Sequence, residues 1–288
     1  MDLRVRNEPL SAGLYFVATP IGAARDITLR GLDILESADI IACEDTRTTK
    51  HLMTMHGLTV KGREFVAYHE HNADQAKPKL MADMKNGKSV VYVSEAGTPL
   101  VSDPGYGLSV AAIEDDIPVI SAPGPTALIT ALTLSGLPSD RFMFVGFLPS
   151  KKHARETALK DLQTVSATLI FYESPKRVQK TVADMAQVLG GSRRGVICRE
   201  ITKKFEETLR GTLDELAAIL QERTIKGEIV LLVDRADKPA TNPQDVEAAL
   251  TQALETMRIK DASSTVAEAL NLPKRDVYQL ALELAKKT

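Results

Sequence analysis

A chain of 288 residues, 44% hydrophobic and 26% charged with a net charge of −2, has the makeup of a globular protein long enough for two domains and argues against disorder. No apolar run approaches the roughly 18 residues of a membrane span, and the first eight residues lack the core of a signal peptide, so a cytoplasmic protein without membrane contact is expected. The two cysteines, Cys43 and Cys198, lie in apolar segments, which speaks against a disulfide framework or a thiolate metal cage.

Apolar runs alternate with amphipathic stretches, the pattern of strands joined by crossover helices. In the first part strands are expected over 14–18, 40–43, 64–68, 89–93 and 118–121, with helices near 28–37, 46–56, 73–85 and 105–115. The run Ala122-Pro123-Gly124-Pro125 breaks the alternation and sets the boundary between an N-terminal domain, 1–122, and a second, 123–236. A helix over 126–135 follows, with Pro125 at its start and Gly136 just past its end. Further strands are expected over 142–147, 167–172, 195–199, 206–210 and 228–233. Two consecutive extended segments near 197–210 point to antiparallel pairing and a mixed sheet. Beyond a linker at 237–243 the tail reads as helical. Segments 264–270 and 274–285, joined by a turn at Asn271-Leu272-Pro273, have the form of a helix-turn-helix, and both a small helical cap and a nucleic-acid reader fit it.

Charge is distributed unevenly. Residues 141–210 carry 14 Lys and Arg against 7 Asp and Glu, while the rest of the chain carries 22 against 31. The basic groups gather at Lys151, Lys152 and Arg155, at Lys176 and Arg177, and in pairs at 193–194 and 203–204. On one face they would meet phosphates; otherwise they are solvated helix ends.

Several familiar chemistries lack their residues. The first strand is followed by Thr19-Pro20-Ile21-Gly22 and not by a dinucleotide glycine fingerprint, which disfavours a nucleotide-dependent oxidoreductase. No phosphate-binding Walker loop and no nucleophile elbow occurs. His69-Glu70-His71 offers two ligands only, so no metal is expected. What the chain has instead is small-residue loops at strand ends in both domains: 19–22, 94–105, 122–127, 172–177 and 226–229. Ser94-Glu95-Ala96-Gly97-Thr98-Pro99, leaving the apolar run 90–93, is the clearest of them. Loops of two domains facing each other make a cleft for a ligand of nucleotide size. A ligand with its own reactivity, such as a sulfonium methyl donor, asks mainly for alignment.

Seven motifs in order carry a resemblance. They are 14–22 with Asp26-Ile27-Thr28, Ala42-Cys43-Glu44-Asp45-Thr46-Arg47, the 94–105 loop, Pro123-Gly124-Pro125-Thr126-Ala127, Gly136-Leu137-Pro138, Phe171-Tyr172-Glu173-Ser174-Pro175 and Lys226-Gly227-Glu228-Ile229-Val230. The chain resembles the tetrapyrrole methylase superfamily, and within it the bacterial methylases of small-subunit ribosomal RNA, over about 13–234, with a similar tail. The resemblance implies an α/β protein of two domains with S-adenosylmethionine in the cleft between them, a homodimer, and methylation of the ribose 2′-oxygen of a cytidine in the decoding region of 16S ribosomal RNA within the small subunit. By motif it implies Pro20 at the cofactor's edge, Gly22 and Glu95 among the cofactor-binding residues, Gly97, Thr98, Leu100 and Val101 along the cleft, Thr126 and Ala127 at the methionine part, and Tyr172 and Ile229 beside the adenine. The family pattern usually has Asn-Leu where Ala23-Ala24 stand, Asp where Glu95 stands and His where Lys176 stands.

A ribose hydroxyl needs a general base or a cation favouring the alkoxide. The candidates are Glu44 and Asp45 with Arg47 at one strand end, and Glu173 with Lys176 at another, although Asp45 is equally a helix cap. RNA is expected to approach over Lys151, Lys152, Arg155, Lys176 and Arg177. The rivals are a methylase of this fold acting on a tetrapyrrole or a protein side chain, and a non-enzymatic RNA-binding module led by the tail helices.

Overall fold

The computed structural model describes residues 5–102, 104–236, 243–270 and 272–287. Five short apolar runs pair into an all-parallel first sheet: β1 (Gly13–Val17), β2 (Ile40–Cys43), β3 (Glu64–Ala67), β4 (Ser89–Val93) and β5 (Val119–Ala122), in the order β3-β2-β4-β1-β5. Period-2 alternation sends Tyr15, Val17, Ile41, Cys43, Val91 and Val93 to one face, where α1 (Leu29–Ser37) and α2 (Thr46–Met55) cover them. Leu14, Phe16, Ile40, Ala42, Val90 and Tyr92 take the other, under α3 (Ala73–Lys85) and α4 (Tyr106–Glu114). Burial on both faces explains why the inner strands β1, β2 and β4 are almost continuously apolar, each Leu, Val or Phe contributing about 1.5–3 kcal/mol, while the edge strands β3 and β5 stay half-exposed. Because the helix after β1 and the helix after β4 lie on opposite faces of adjacent strands, the carboxyl ends of β1 and β4 flank the crevice of an open α/β sheet.

From β5 the chain crosses through α5 (Ala127–Ser135) to a second sheet of β6 (Phe142–Phe147), β7 (Thr168–Glu173), β8 (Arg194–Arg199), β9 (Glu207–Thr212) and β10 (Ile229–Val233). Its order is β6-β7-β10-β8-β9; β6 and β7 are parallel and every other pair antiparallel, the mixed sheet read from the sequence. Helix α5 packs on one face over Ile170, Val196, Cys198, Val230 and Leu232. The other face lies under α6 (Lys152–Asp161), α7 (Val178–Leu189) and α8 (Leu213–Glu222). Helix α5 ends at Gly136 in the left-handed conformation, and its last carbonyls accept hydrogen bonds from Arg210 and Arg194 of the second sheet.

Both sheets fall within one compact unit, Met1–Arg235, and the tail forms another, Ala236–Thr288. The tail comprises α9 (Pro243–Leu254), α10 (Ile259–Ala269) and α11 (Lys274–Lys287) around Val246, Leu250, Val266, Ala267, Val277 and Ala281. Helix α10 begins five residues before the expected helix at 264, because Arg258 in extended conformation provides the turn into it. The linker residues 237–242, Asn271 of the expected turn and Asp103 of the 94–105 loop lie outside the described residues. Among the described residues no helix is long and apolar enough to cross a membrane.

Candidate active site

Where the ends of β1 and β4 meet the second sheet, a cavity of about 390 Å³ opens. Its wall is built from loops. Thr19, just past β1, exchanges two main-chain hydrogen bonds with Gly97 (2.9 and 3.0 Å), and the Ser94 hydroxyl donates to the Gly97 carbonyl at 3.1 Å. The Thr98 hydroxyl donates to Pro125 O at 2.9 Å, tying this loop to the segment that leads into α5. Gly97 holds φ +83°, and a Cβ there would press on Ile21 Cγ2 at 3.3 Å, so the chain comes to the cavity as bare backbone. Leu100 and Ser102 take left-handed φ without being glycine, at 71° and 62°. Such conformations persist only where the surroundings over-determine them, and they concentrate at functional loops.

Of the residues the sequence proposed for the cleft, Gly97, Thr98, Val101, Thr126, Ala127, Tyr172 and Ile229 line the cavity, and Glu173 joins them. Thr126 and Ala127, at the N-terminus of α5, both line the cavity, and the Thr126 side chain makes no cap bond to its helix, whose first-turn N–H groups have no partner within the helix itself. Tyr172 stands edge-on to Phe144 and Phe147, with ring centroids 4.8 and 5.8 Å apart. Four proposed residues are not in the wall. Pro20 and Glu95 flank wall residues, Leu100 lies against Gly105, and Gly22 presses against the β8–β9 turn. Ile21, Ser102 and Glu228, inside loops the sequence assigned to the cleft but not singled out there, also line the cavity, as do Phe147 and Ile201, which lie outside those loops. Ile201 follows β8 in an unremarkable polar turn and carries no signal; Glu228 stands inside the last of the seven motifs.

The proposed proton-handling groups divide. Asp45 caps α2, its Oδ1 accepting from Arg47 N at 2.7 Å, and its Oδ2 pairs with the Arg47 guanidinium at 3.1 Å. Those hydrogen bonds hold the Asp45 carboxyl below the usual carboxylate range. Glu44 is half-buried beside it, and both stand at the carboxyl end of β2, next to β4 in the sheet; neither lines the cavity. Glu173 is a correction. Its side chain is 1% exposed, Oε1 accepts from Ser174 N at 2.7 Å and ion-pairs with Arg177 at 3.3 Å, and Oε2 accepts from the Thr181 hydroxyl at 2.6 Å. Both oxygens are engaged in fixing the turn after β7, so this buried carboxylate is committed to holding that turn.

The basic face is corrected as well. Arg155 is 4% exposed, paired with Asp184 at 2.6 Å and bonded to the Pro149 and Ser150 carbonyls, so it anchors α6 to α7 and does not meet RNA. Arg177 is largely committed to Glu173 and to Leu148 O at 2.6 Å. Lys151, Lys152 and Lys176 are exposed.

Comparison with known proteins accords with this geometry. The sequence model of the Tetrapyrrole (Corrin/Porphyrin) Methylases matches residues 13–217, and that of the RsmI C-terminal HTH domain matches 240–285. The ribosomal RNA small subunit methyltransferase I of Mesorhizobium japonicum is 48% identical over 96% of this chain and 93% of its own. The protein of that name from Escherichia coli O157:H7 is 41% identical over 94% of each. Among solved structures, the methyltransferase CobJ superposes with a TM-score of 0.61 at 16% identity, over 78% of this chain and 95% of its own. Uroporphyrin-III C-methyl transferase from Thermus thermophilus, complexed with S-adenyl homocysteine, gives 0.54 at 18%, over 77% and 97%.

Proposed function

This chain belongs to the ribosomal RNA small subunit methyltransferase I family of tetrapyrrole methylases, and we propose that it methylates the ribose 2′-oxygen of a decoding-region cytidine in 16S ribosomal RNA. It is an S-adenosylmethionine-dependent methyltransferase of ribosomal RNA. The observation that carries our reading of the site is the cavity between the two sheets, with a bare-backbone wall at Gly97, a helix N-terminus at one end and apolar side chains at the other.

The cavity fits that cofactor. The α5 N-terminus at Thr126 and Ala127 would hold its carboxylate, Gly97, Thr98 and Val101 its central part, and Tyr172 with Ile229 its adenine. Bound there, S-adenosylmethionine supplies a methyl group already activated on a sulfonium, so the chain's task is to hold and aim. Glu173 fixes the turn that carries Ser174 and Pro175 in the wall. Asp45 and Arg47, at the carboxyl end of β2 in the first sheet, serve the RNA side: Arg47, with a side chain 91% exposed, is free to meet a phosphate or a developing alkoxide, and Asp45 orients it. Lys151, Lys152 and Lys176 give the RNA backbone its cationic approach. The working substrate is the small ribosomal subunit, the working form a cytoplasmic homodimer, both on the strength of the family likeness.

The test has two parts. Calorimetry with S-adenosylhomocysteine is expected to show one site per chain, abolished by Ala127→Asp, which puts a negative charge at the carboxylate end. Transfer of labelled methyl to small subunits, followed by nucleoside mass spectrometry, is expected to yield 2′-O-methylcytidine. A methyl group found on a base alone, or on a tetrapyrrole and not on RNA, overturns the reading.

A further inference from the structure

The turn between β8 and β9, residues 200–206, has more hydrogen bonds than a solvent-exposed hairpin loop needs. Glu200 and Thr202 both hold left-handed φ, at 48° and 64°, and neither is glycine. The conformation is fixed from several sides. Thr202 N donates to Glu206 Oε2 at 2.5 Å and Lys203 N to Glu200 O at 2.9 Å. Lys203 Nζ bridges Glu200 Oε1 at 3.1 Å and Glu228 Oε2 at 2.9 Å, and Glu200 Oε1 also accepts from Glu228 N at 3.0 Å. Strain retained under that many constraints marks a place where geometry matters.

What the turn holds is the other sheet's loop. Thr202 Oγ1 accepts a hydrogen bond from Ala23 N at 3.0 Å, across 179 residues of sequence. Beside it, a Cβ on Gly22 would stand 2.5 Å from Thr202 Oγ1, 2.6 Å from Lys203 Cγ and 3.0 Å from Ile201 O, so the two segments meet as closely as a hydrogen-only residue permits. Alanines at 23 and 24 offer no polar side chain, so main-chain groups hold this loop: Ala24 O meets His56 Nε2 at 2.9 Å within the first sheet's layer, and the Ala23 N–H makes the bond to the β8–β9 turn. The neighbours on each side are cavity walls: Ile21 precedes Gly22, and Ile201 precedes Thr202. At its other end the turn presses on the loop before β10, where a Cβ on Gly227 would meet Glu200 Cγ at 2.4 Å, and Gly227 and Glu228 are walls too. One turn thus joins three wall segments, one from the first sheet and two from the second.

We propose that Thr202 is a positioning residue: through the Ala23 N–H it latches the loop after β1 to the β8–β9 turn and so sets the width of the cavity that takes the cofactor. The proposal rests on the reading of that cavity given above. Thr202 need not touch the cofactor. Its contribution is to hold Ile21 and Ile201 at the separation that closes on the ligand.

Two substitutions remove the bond from opposite ends. Thr202→Val keeps the shape and branching, hence the same backbone strain, and deletes the acceptor. Ala23→Pro deletes the donor; its fixed φ suits the −73° at this position, while its Cδ, placed where the amide hydrogen was, displaces the residue 202 side chain and so opens the same contact from the other end. Thr202→Ser restores the hydroxyl. In the full-length chain, calorimetry with S-adenosylhomocysteine is expected to show each deletion weakening binding on the order of fivefold to tenfold, the worth of one cross-cleft hydrogen bond. Thr202→Ser is expected to stay near wild type, and the double variant to be no weaker than either single. In steady state the KM for the methyl donor rises with kcat little changed. A purely structural bond would instead lower the thermal midpoint and leave the dissociation constant alone. That pattern overturns the proposal, as does wild-type affinity in Thr202→Val and Ala23→Pro, or a serine variant as weak as valine. Should Thr202→Val not fold, Ala23→Pro decides from the other side. If the wild-type chain ignores S-adenosylhomocysteine, the reading of the cavity fails and the proposal with it. If the wild type binds and the variants bind equally well, the latch fails alone.

Discussion

The first sheet and the second each place a carboxylate against a guanidinium where sequence motifs pointed to chemistry, and the two pairs do opposite things. Arg155 and Asp184 meet at 2.6 Å with side chains 5% and 8% exposed; Arg47 and Asp45 meet at 3.1 Å with 91% and 32% exposed. In the buried pair every donor direction of interest is already taken, by Asp184 and by two carbonyls. In the exposed pair the guanidinium keeps most of its hydrogens toward solvent. The second lobe has used its charges as scaffold for α6 and α7, whereas the first leaves its charges at a strand edge where a polyanion can reach them. Identity of residue type does not separate these cases; the neighbouring carbonyls do.

The sharpest way to break the comparison is to remove one partner of the buried pair. Arg155→Ala strands the Asp184 carboxylate in a dry site and is expected to cost about 3–5 kcal/mol in denaturant unfolding. The double variant Arg155→Met/Asp184→Leu is expected to recover most of that loss. Recovery with RNA affinity unchanged would complete the case that Arg155 supports the fold and does not touch the substrate.

Glu173→Gln comes next. The amide keeps the volume but loses the ion pair with Arg177, and we expect a loss of about 1–3 kcal/mol because a buried acceptor set is partly unmet. Cofactor affinity should fall as well, since Ser174 and Pro175 in the cavity wall follow directly from this side chain. A variant that keeps wild-type stability yet loses only methyl transfer would return Glu173 to the role of base.

These outcomes bear on what the sequence could tell. The inner strands of the first sheet, β1, β2 and β4, were legible because burial on both faces makes them almost continuously apolar, and the crevice followed from where two of those runs break at Thr19 and Ser94. Pro123-Gly124-Pro125 mark the passage from β5 into α5, and both sheets fall within one compact unit. Arg155 misleads because a Lys-Lys-His-Ala-Arg run looks the same whether its last member points out or in. Only α7, arriving from 29 residues further along with Asp184, decides it. Ile201 and the left-handed Thr202 were illegible for a similar reason: neither residue type announces a left-handed turn, and their importance comes from Ala23, far away in sequence. Leu100 stands in the right loop but lies against Gly105.

A milder test addresses the exposed cations. Reversing Lys151 and Lys152 to Glu should leave stability nearly unchanged, since Lys152 pairs only with Glu156 at 3.6 Å on the surface. Binding to the small subunit is expected to weaken, and the slope of log affinity against log salt to flatten by about one for each phosphate no longer neutralised. The same reversal at Lys176, at the turn after β7, should act in the same direction. An unchanged slope would assign these lysines to solvent.

The smallest effect on stability and the most informative on chemistry is expected at Asp45. Its carboxyl is held below the usual carboxylate range by the Arg47 hydrogen bonds, so it stays ionised through neutral pH and is a poor proton acceptor there. A depressed carboxyl stabilises the folded chain above the ordinary range and loses that contribution as pH falls through its lowered value; being solvent-exposed, the contribution is small. With Arg47 favouring the alkoxide and the hydroxyl proton leaving to solvent, single-turnover methylation should rise with pH through the neutral range, and protonation of Asp45 in acid should add a further fall that is absent in Asp45→Asn. Asp45→Ala should lower the methylation rate while cofactor affinity holds, because the cap and the Arg47 partner go together and the cavity wall is elsewhere. Full single-turnover activity in Asp45→Ala with intact cofactor binding would reduce Asp45 to the cap of α2, and the exposed pair would then be as structural as the buried one.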